Sequence, residues 1–474
     1  MSGIETYETA TCGAAPPRSA LSAKIRHEQE TTTASALILV GQFLRAKIKF
    51  FQEFFMPASM IAGFLGLFLG KQFLNVLPFS ASAGSYTGVL IIIIFGVVGL
   101  NGFSGFGGGM GKRLLGFTMY RNVIYFMQFA LGIAVCLTIV KAIVPDINPA
   151  FGMLMASGFT GGHGTAAAVG KTLADLGWAE AGDLGMTFAT VGILTGIFGG
   201  LAFIKIGTKR GWTAYIKDFK YISGDMKTGM VAKENRGSMG EETTSSVSLE
   251  SLAFHLCLVL LISGGGYLVN SKIIAVYLVA GAPDFTVAFI VGLIFFLIFK
   301  NTPVYNYIDK DVNSRISGTA TDYLVFFGVA MINVQVIIDY AVPLLIEIIV
   351  GFICVFLTMI PLGSSMNNKS WFERSIFCYG YSTGVFAIGF VLLRIVDPEN
   401  KSLTVDDIAL SPWISFAEIV VWSLVPVMLI NGKGWTVVGG AAAICIVSLL
   451  VSIVCKAWWG KVPLAGRGGY GLDE

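Results

Sequence analysis

The stretch Gly158-Phe159-Thr160-Gly161-Gly162-His163-Gly164-Thr165 sets four glycines, two threonines and one of the protein's three histidines inside an otherwise apolar run. Backbone at membrane depth that lacks helical hydrogen bonds leaves N–H and C=O groups unpaired, so it is tolerated only within protein or beside a water-filled cavity. Interruptions of this kind are where solute sites form in membrane carriers.

The surrounding composition fits a membrane setting. Of 474 residues, 55% are hydrophobic and 13% charged, against roughly 25% charged in soluble domains. The 58 glycines follow no collagen period and suit close helix approach in a bilayer. The seven cysteines stand singly, so neither a disulfide nor a zinc site is expected. Residues 1–33 mix both charges with Ser, Thr and Pro and lack an apolar signal core. They read as a mobile tail.

Segments apolar enough to span or nearly span the bilayer fall near 34–48, 54–72, 86–106, 120–143, 184–206, 251–270, 283–300, 319–338, 341–361, 413–431 and 435–458. Two more apolar stretches, about 150–175 and 372–395, are broken by glycine and polar residues and are expected to form re-entrant hairpins. Lys and Arg gather on the cytoplasmic side. Arg45, Lys47 and Lys49, then Lys112, Arg113 and Arg121, then Lys205, Lys209 and Arg210 share one side if neither hairpin crosses. The N-terminus is then expected outside and the C-terminus inside.

The polar segment 207–250 reads as a cytoplasmic linker between two membrane halves, 34–206 and 251–431. Each half carries five helices and one hairpin in the same order, and five crossings turn the second half upside down. The expected fold is therefore an all-α integral membrane protein. It holds two inverted repeats of five transmembrane helices plus one re-entrant hairpin each, with an extra helix and cytoplasmic tail in 432–474. Inversion brings the two hairpin tips together near the midplane, the geometry of alternating access.

Candidate substrate contacts in the first hairpin are Thr160, Gly161, Gly162, His163, Gly164 and Thr165. The glycines let backbone approach a ligand, and the alternative is helix packing on small residues. His163 either braces the turn or touches substrate. The second hairpin, Cys378-Tyr-Gly-Tyr-Ser-Thr-Gly-Val-Phe-Ala-Ile-Gly389, offers Gly380, Ser382, Thr383 and Gly384. Arg394 follows, as a carboxylate clamp or an interfacial anchor. Neutral oxygens on Asn101, Thr187, Thr190, Asn333 and Gln335 suit Na⁺. Glu347 and Glu418 each lie inside an apolar helix and are functional candidates by that position.

The run Gly161-Gly-His-Gly-Thr165 with Ala166-Ala-Ala168, the Gly99-Leu-Asn101 triplet, the Pro57…Ala62-Gly63 helix and Thr187-Phe-Ala-Thr190-Val-Gly192…Gly196…Gly199-Gly200 together resemble the bacterial sodium:glutamate symporter family. The resemblance covers most of residues 35–431. It implies a secondary active transporter in the bacterial inner membrane that takes up L-glutamate, or a related small anionic amino acid, with Na⁺. It further implies a homodimer whose hairpin-bearing domain moves in elevator fashion. Ala417-Glu418 resembles an acidic position in the family's last helix, which adds Glu418 to the sodium-coupling candidates. The second hairpin departs from the family's His-Cys-Gly-Phe-Gly-Leu-Gly-Ala-Thr-Pro-Thr type in lacking that histidine and the Thr-Pro-Thr.

The rival readings are a Na⁺-coupled carboxylate symporter of citrate-like substrates and, from another class, an anion or solute channel. No nucleophile and base pair, metal cluster or nucleotide loop stands out in the sequence. An enzyme is not expected, nor a cofactor beyond Na⁺ as coupling ion, nor a nucleic-acid partner.

Overall fold

The computed structural model describes residues 18–53, 56–102, 111–215, 224–278, 282–367, 370–397, 401–409 and 412–458. Among these residues every regular element is helical. The main helices are α1 (Arg18–Lys47), α2 (Ala58–Leu69), α3 (Tyr86–Asn101), α4 (Lys112–Val135), α5 (Phe151–Asp175) and α6 (Ala181–Arg210). After the polar segment come α7 (Ser251–Val269), α8 (Asp284–Phe299), α9 (Lys310–Ala330), α10 (Ala341–Leu357), α11 (Trp371–Val396), α12 (Pro412–Ile430) and α13 (Gly434–Val454). Among the described residues six helices, those holding α3, α4, α6, α7, α10 and α13, are long and apolar enough to cross a membrane. The protein is thus an integral membrane protein with several spans. Each of the eleven expected spans falls on one of these helices.

The helices pack as two bodies. The first joins α1, α2 and α3 to α7, α8 and α9, with α3 against α8 at its centre. That crossing is close because glycines meet: a Cβ on Gly99 would collide with the Phe289 carbonyl, and one on Gly292 would lie 2.6 Å from the Gly96 carbonyl. The second body joins α4, α5 and α6 to α10, α11 and α12, with α13 lying along α4. Each half of the sequence therefore gives its first three helices to one body and the rest to the other. Lighter contacts between the bodies run from α5 to α3 and α9 and from α6 to α9.

The structure departs from the sequence reading at three places. Residues 18–33, expected in a mobile tail, form the start of α1. Their Ala, Leu, Lys, Arg and Glu content favours helix, and buried Glu30 accepts from the Ser80 N–H at 2.8 Å and the Tyr86 hydroxyl at 2.9 Å. The helix expected at 319–338 runs Lys310–Ala330 instead, because Asn333 ends the run by capping a short helix, Val334–Asp339, through the Gln335 N–H. The polar segment is mostly exposed but anchored. Trp212 is buried against Trp371 and Phe372, Gln42 donates to the Gly229 carbonyl and Asp309 accepts from the Glu241 N–H.

Candidate functional site

Both glycine-rich stretches are helices broken in the middle. In α5 the break is Gly162, with φ 62° and ψ −158°. Phe151, at the start of α5, packs on Phe188 at 5.7 Å between ring centroids. Gly170, near its end, meets Gly182, where an added Cβ would stand 2.7 Å from the Gly182 Cα. A straight helix would set Phe151 and Gly170 about 28 Å apart, whereas Gly182 and Phe188 lie about 9 Å apart along α6. The chain therefore folds back at Gly162.

In α11 the break is Gly384 and Val385, with φ of −138° and 68°. Phe377 and Phe390 meet edge to face across it, 5.2 Å between ring centroids, and a Cβ on Gly380 would stand 2.8 Å from the Gly389 Cα. This limb also folds back. Positive φ at a β-branched residue is a true outlier, and outliers of this kind persist where surrounding structure holds them.

The two breaks meet. A Cβ on Gly162 would collide with Cγ1 of Val385. Gln128 of α4, fully buried, spans both stretches: it donates to the Ser382 carbonyl at 2.9 Å and accepts from the Thr160 hydroxyl at 3.2 Å. On the other side, α6 holds both tips. Its Thr190 hydroxyl lies 3.0 Å from His163 Nε2. A Cβ on Gly192 would collide with the Thr383 carbonyl, and one on Gly196 would reach Thr383 Oγ1 at 2.7 Å. Each break ends one limb in carbonyls and begins the next in N–H groups, the partial charges that suit a cation and an anion respectively.

The remaining candidates divide sharply. Gly161 packs on the Thr165 side chain, and Gly164 faces Ile91 of α3 in the other body. The buried Ser382 hydroxyl has no hydrogen-bond partner among the described residues. Thr383 bonds back to the Tyr379 carbonyl, and Gly380 serves the fold-back already described. Thr187 lies on α6 with its hydroxyl on its own helix, at the Asp183 carbonyl. Buried Glu418 accepts from the Tyr381 hydroxyl. Glu347 is buried beside Gly132, nearer the start of α5 than its break, and neither carboxylate oxygen has a partner among the described residues.

Four candidates are not brought to the breaks. Asn101 bonds Asn313 and the Lys310 carbonyl within the first body. Asn333 caps a helix, while Gln335 bonds Asp339, and both are exposed. Arg394 is exposed, and the carboxylate of Asp397 is taken by the Lys401 and Ser402 N–H groups. Gln128, Tyr381 and Val385 are not singled out in the sequence, and Arg121, counted there among the cytoplasmic loop charges, is instead buried within α4. A signal for Arg121 and Gln128 existed: a guanidinium and an amide seven residues apart in one apolar helix share a face.

Residues 24–389 match the family model described as sodium/glutamate symporter. A sodium/glutamate symporter of Haemophilus influenzae is 28% identical over 173 residues, which is 35% of this chain and 40% of that protein. The similarity thus spans less than half the length of that curated relative.

Proposed function

The chain belongs to the sodium/glutamate symporter family, and from that premise we propose that it is a secondary active transporter that couples the inward Na⁺ gradient to uptake of L-glutamate. The observation that carries this reading is the meeting of two broken helices, Gly162 against Val385. The Na⁺ is held by carbonyls freed at the breaks together with the hydroxyls of Thr160, Ser382 and Thr190. The N–H groups opening each second limb face the anionic substrate. His163 braces the first tip through Thr190.

Both folded-back helices are re-entrant, the first entered from outside and the second from the cytoplasm, and the two halves are inverted repeats. The order of helices in the two halves supports this. The first body is the fixed scaffold of a homodimer, and the second carries substrate and Na⁺ across in elevator fashion. The light contact between bodies, against dense packing within each, supports that division. The membrane potential contributes about 2.3 kcal/mol per charge per 100 mV, so an excess of Na⁺ over substrate charge concentrates solute strongly.

The test is binding of labelled L-glutamate to the purified protein in Na⁺ or in K⁺, with unlabelled citrate as competitor. Binding in Na⁺ alone, displaced by glutamate and not by citrate, is expected. Displacement by citrate would transfer the reading to a carboxylate symporter, and equal binding in K⁺ would remove Na⁺ coupling.

A further inference from the structure

We propose that Arg121 and Glu418 are the two charged poles of the substrate site, Arg121 taking a carboxylate of the ligand and Glu418 its ammonium. The site then selects an amino acid over a dicarboxylate that lacks the amine. This inference rests on the transport reading above and names the substrate class for it.

Arg121 of α4 precedes Gln128 by two helical turns, so both lie on one face, and Gln128 is the residue that joins the two breaks. That face therefore looks toward the folded-back stretches. Arg121 is 2% exposed, and its guanidinium carbon lies 4.9 Å from the centroid of the Tyr381 ring. Tyr381 stands three residues before Gly384, less than one turn from the second break. Its hydroxyl donates to Glu418 of α12. A buried guanidinium and a buried carboxyl group on two helices thus flank one tyrosine at the tip of α11.

Two buried ionisable groups in apolar helices call for an explanation. Desolvation of such a pair offsets its attraction, and ionisable residues in membrane segments mark substrate and ion paths. The contrast with the other buried guanidinium is instructive. Arg374 lies 2.7 Å from Asp407, which also takes Arg113 at 2.9 Å. That cluster sits at the base of α11, away from the break.

At the tip Tyr381 links the two, its ring lying against the Arg121 guanidinium and its hydroxyl donating to the Glu418 carboxyl group. An α-amino acid carries its carboxylate and ammonium on the same carbon. It can therefore replace the tyrosine link, carboxylate to Arg121 and ammonium to Glu418. A dicarboxylate without the amine leaves Glu418 facing another negative charge, and like charges in a dry site repel strongly.

The experiment measures displacement of labelled L-glutamate from the full-length purified protein in Na⁺ by unlabelled L-glutamate and by glutarate, its analogue without the amine. In the wild type glutarate should compete at least about tenfold less well, the loss expected for one charged hydrogen bond. Glu418→Gln should weaken glutamate and spare glutarate, moving their ratio toward one. Arg121→Lys should weaken both together. Tyr381→Phe keeps both charges and should keep the wild-type ratio. A ratio is insensitive to the folded fraction of a sample. Glutarate competing as well as glutamate in the wild type would overturn the proposal without any variant, as would an unchanged ratio in Glu418→Gln. Equal binding in Na⁺ and K⁺ would instead count against the symport reading, so the two failures are distinct.

Discussion

The Cα of Gly162 lies so close to the Val385 side chain that even a methyl group on the glycine would strike Cγ1. The two residues come from opposite halves of the sequence and from the breaks of α5 and α11, so this contact closes the candidate site. It leads to the first prediction. Gly162→Ala meets both that collision and a backbone at φ 62°, ψ −158°, where a side chain costs about 1–3 kcal/mol. Na⁺-driven uptake per amount of inserted protein should fall about 5- to 150-fold, the range those energies span at tenfold per 1.4 kcal/mol. Adding Val385→Ala should restore part of it, because the double variant removes the collision and keeps the backbone strain. Full activity in Gly162→Ala would break the link between the two tips and transport.

Gln128 is the bridge between those tips. Replacing it with Leu keeps the volume and leaves the Ser382 carbonyl and the Thr160 hydroxyl without it, at about 1–3 kcal/mol for each buried group left unsatisfied. Melting temperature should fall and the apparent constant for substrate should rise together. Thr160→Val removes one of the two bonds and should do less on both scales. An unchanged substrate constant in Gln128→Leu would confine the residue to stability.

The 3.0 Å contact between His163 and Thr190 makes a double-mutant cycle informative. Residues that act through a shared contact couple by about 0.5–3 kcal/mol. His163→Ala and Thr190→Val should therefore each impair uptake, and the double variant should be little worse than the poorer single. Additive losses would mean that His163 meets the substrate independently of Thr190.

Asp407 is fully buried and accepts from Arg113 and from Arg374, itself 2% exposed. Its removal strands a buried guanidinium, which costs about 3–5 kcal/mol. Asp407→Ala should lower the melting temperature strongly, with or without substrate. A melting curve like that of the wild type would show that Arg374 finds other compensation.

Arg394 tests the opposite expectation. Since its side chain is exposed, Arg394→Lys should leave the substrate constant unchanged within about twofold, as for other surface exchanges. A large rise would revive the carboxylate clamp that the sequence suggests.

The contrast between Arg394 and Arg121 shows how far the sequence carries. Apolar run length and glycine interruptions are local properties, so the helices, both folded-back stretches and the Gly162 break are legible without coordinates. The same holds for Thr160, Ser382 and Gly384, which lie at the interruptions themselves. An amide in an apolar segment is another matter. Asn101 ties two helices of one body, Asn333 caps a helix and Gln128 bridges the two tips, yet all three look alike in one dimension. Tyr381 reads as apolar filler until Glu418, 37 residues further on, is placed beside it. The start of α1 escaped for a different reason. Its polar composition suggests a tail, whereas its helix propensity and the burial of Glu30 decide its structure.

The most direct test of the account is uptake of radiolabelled L-glutamate into proteoliposomes of the purified protein, under an inward Na⁺ gradient and under an equal K⁺ gradient. Accumulation above equilibrium with Na⁺ alone is expected, and it should be strongly reduced in Gly162→Ala. Flux that only equilibrates, or that proceeds equally in K⁺, would contradict it and point to a channel.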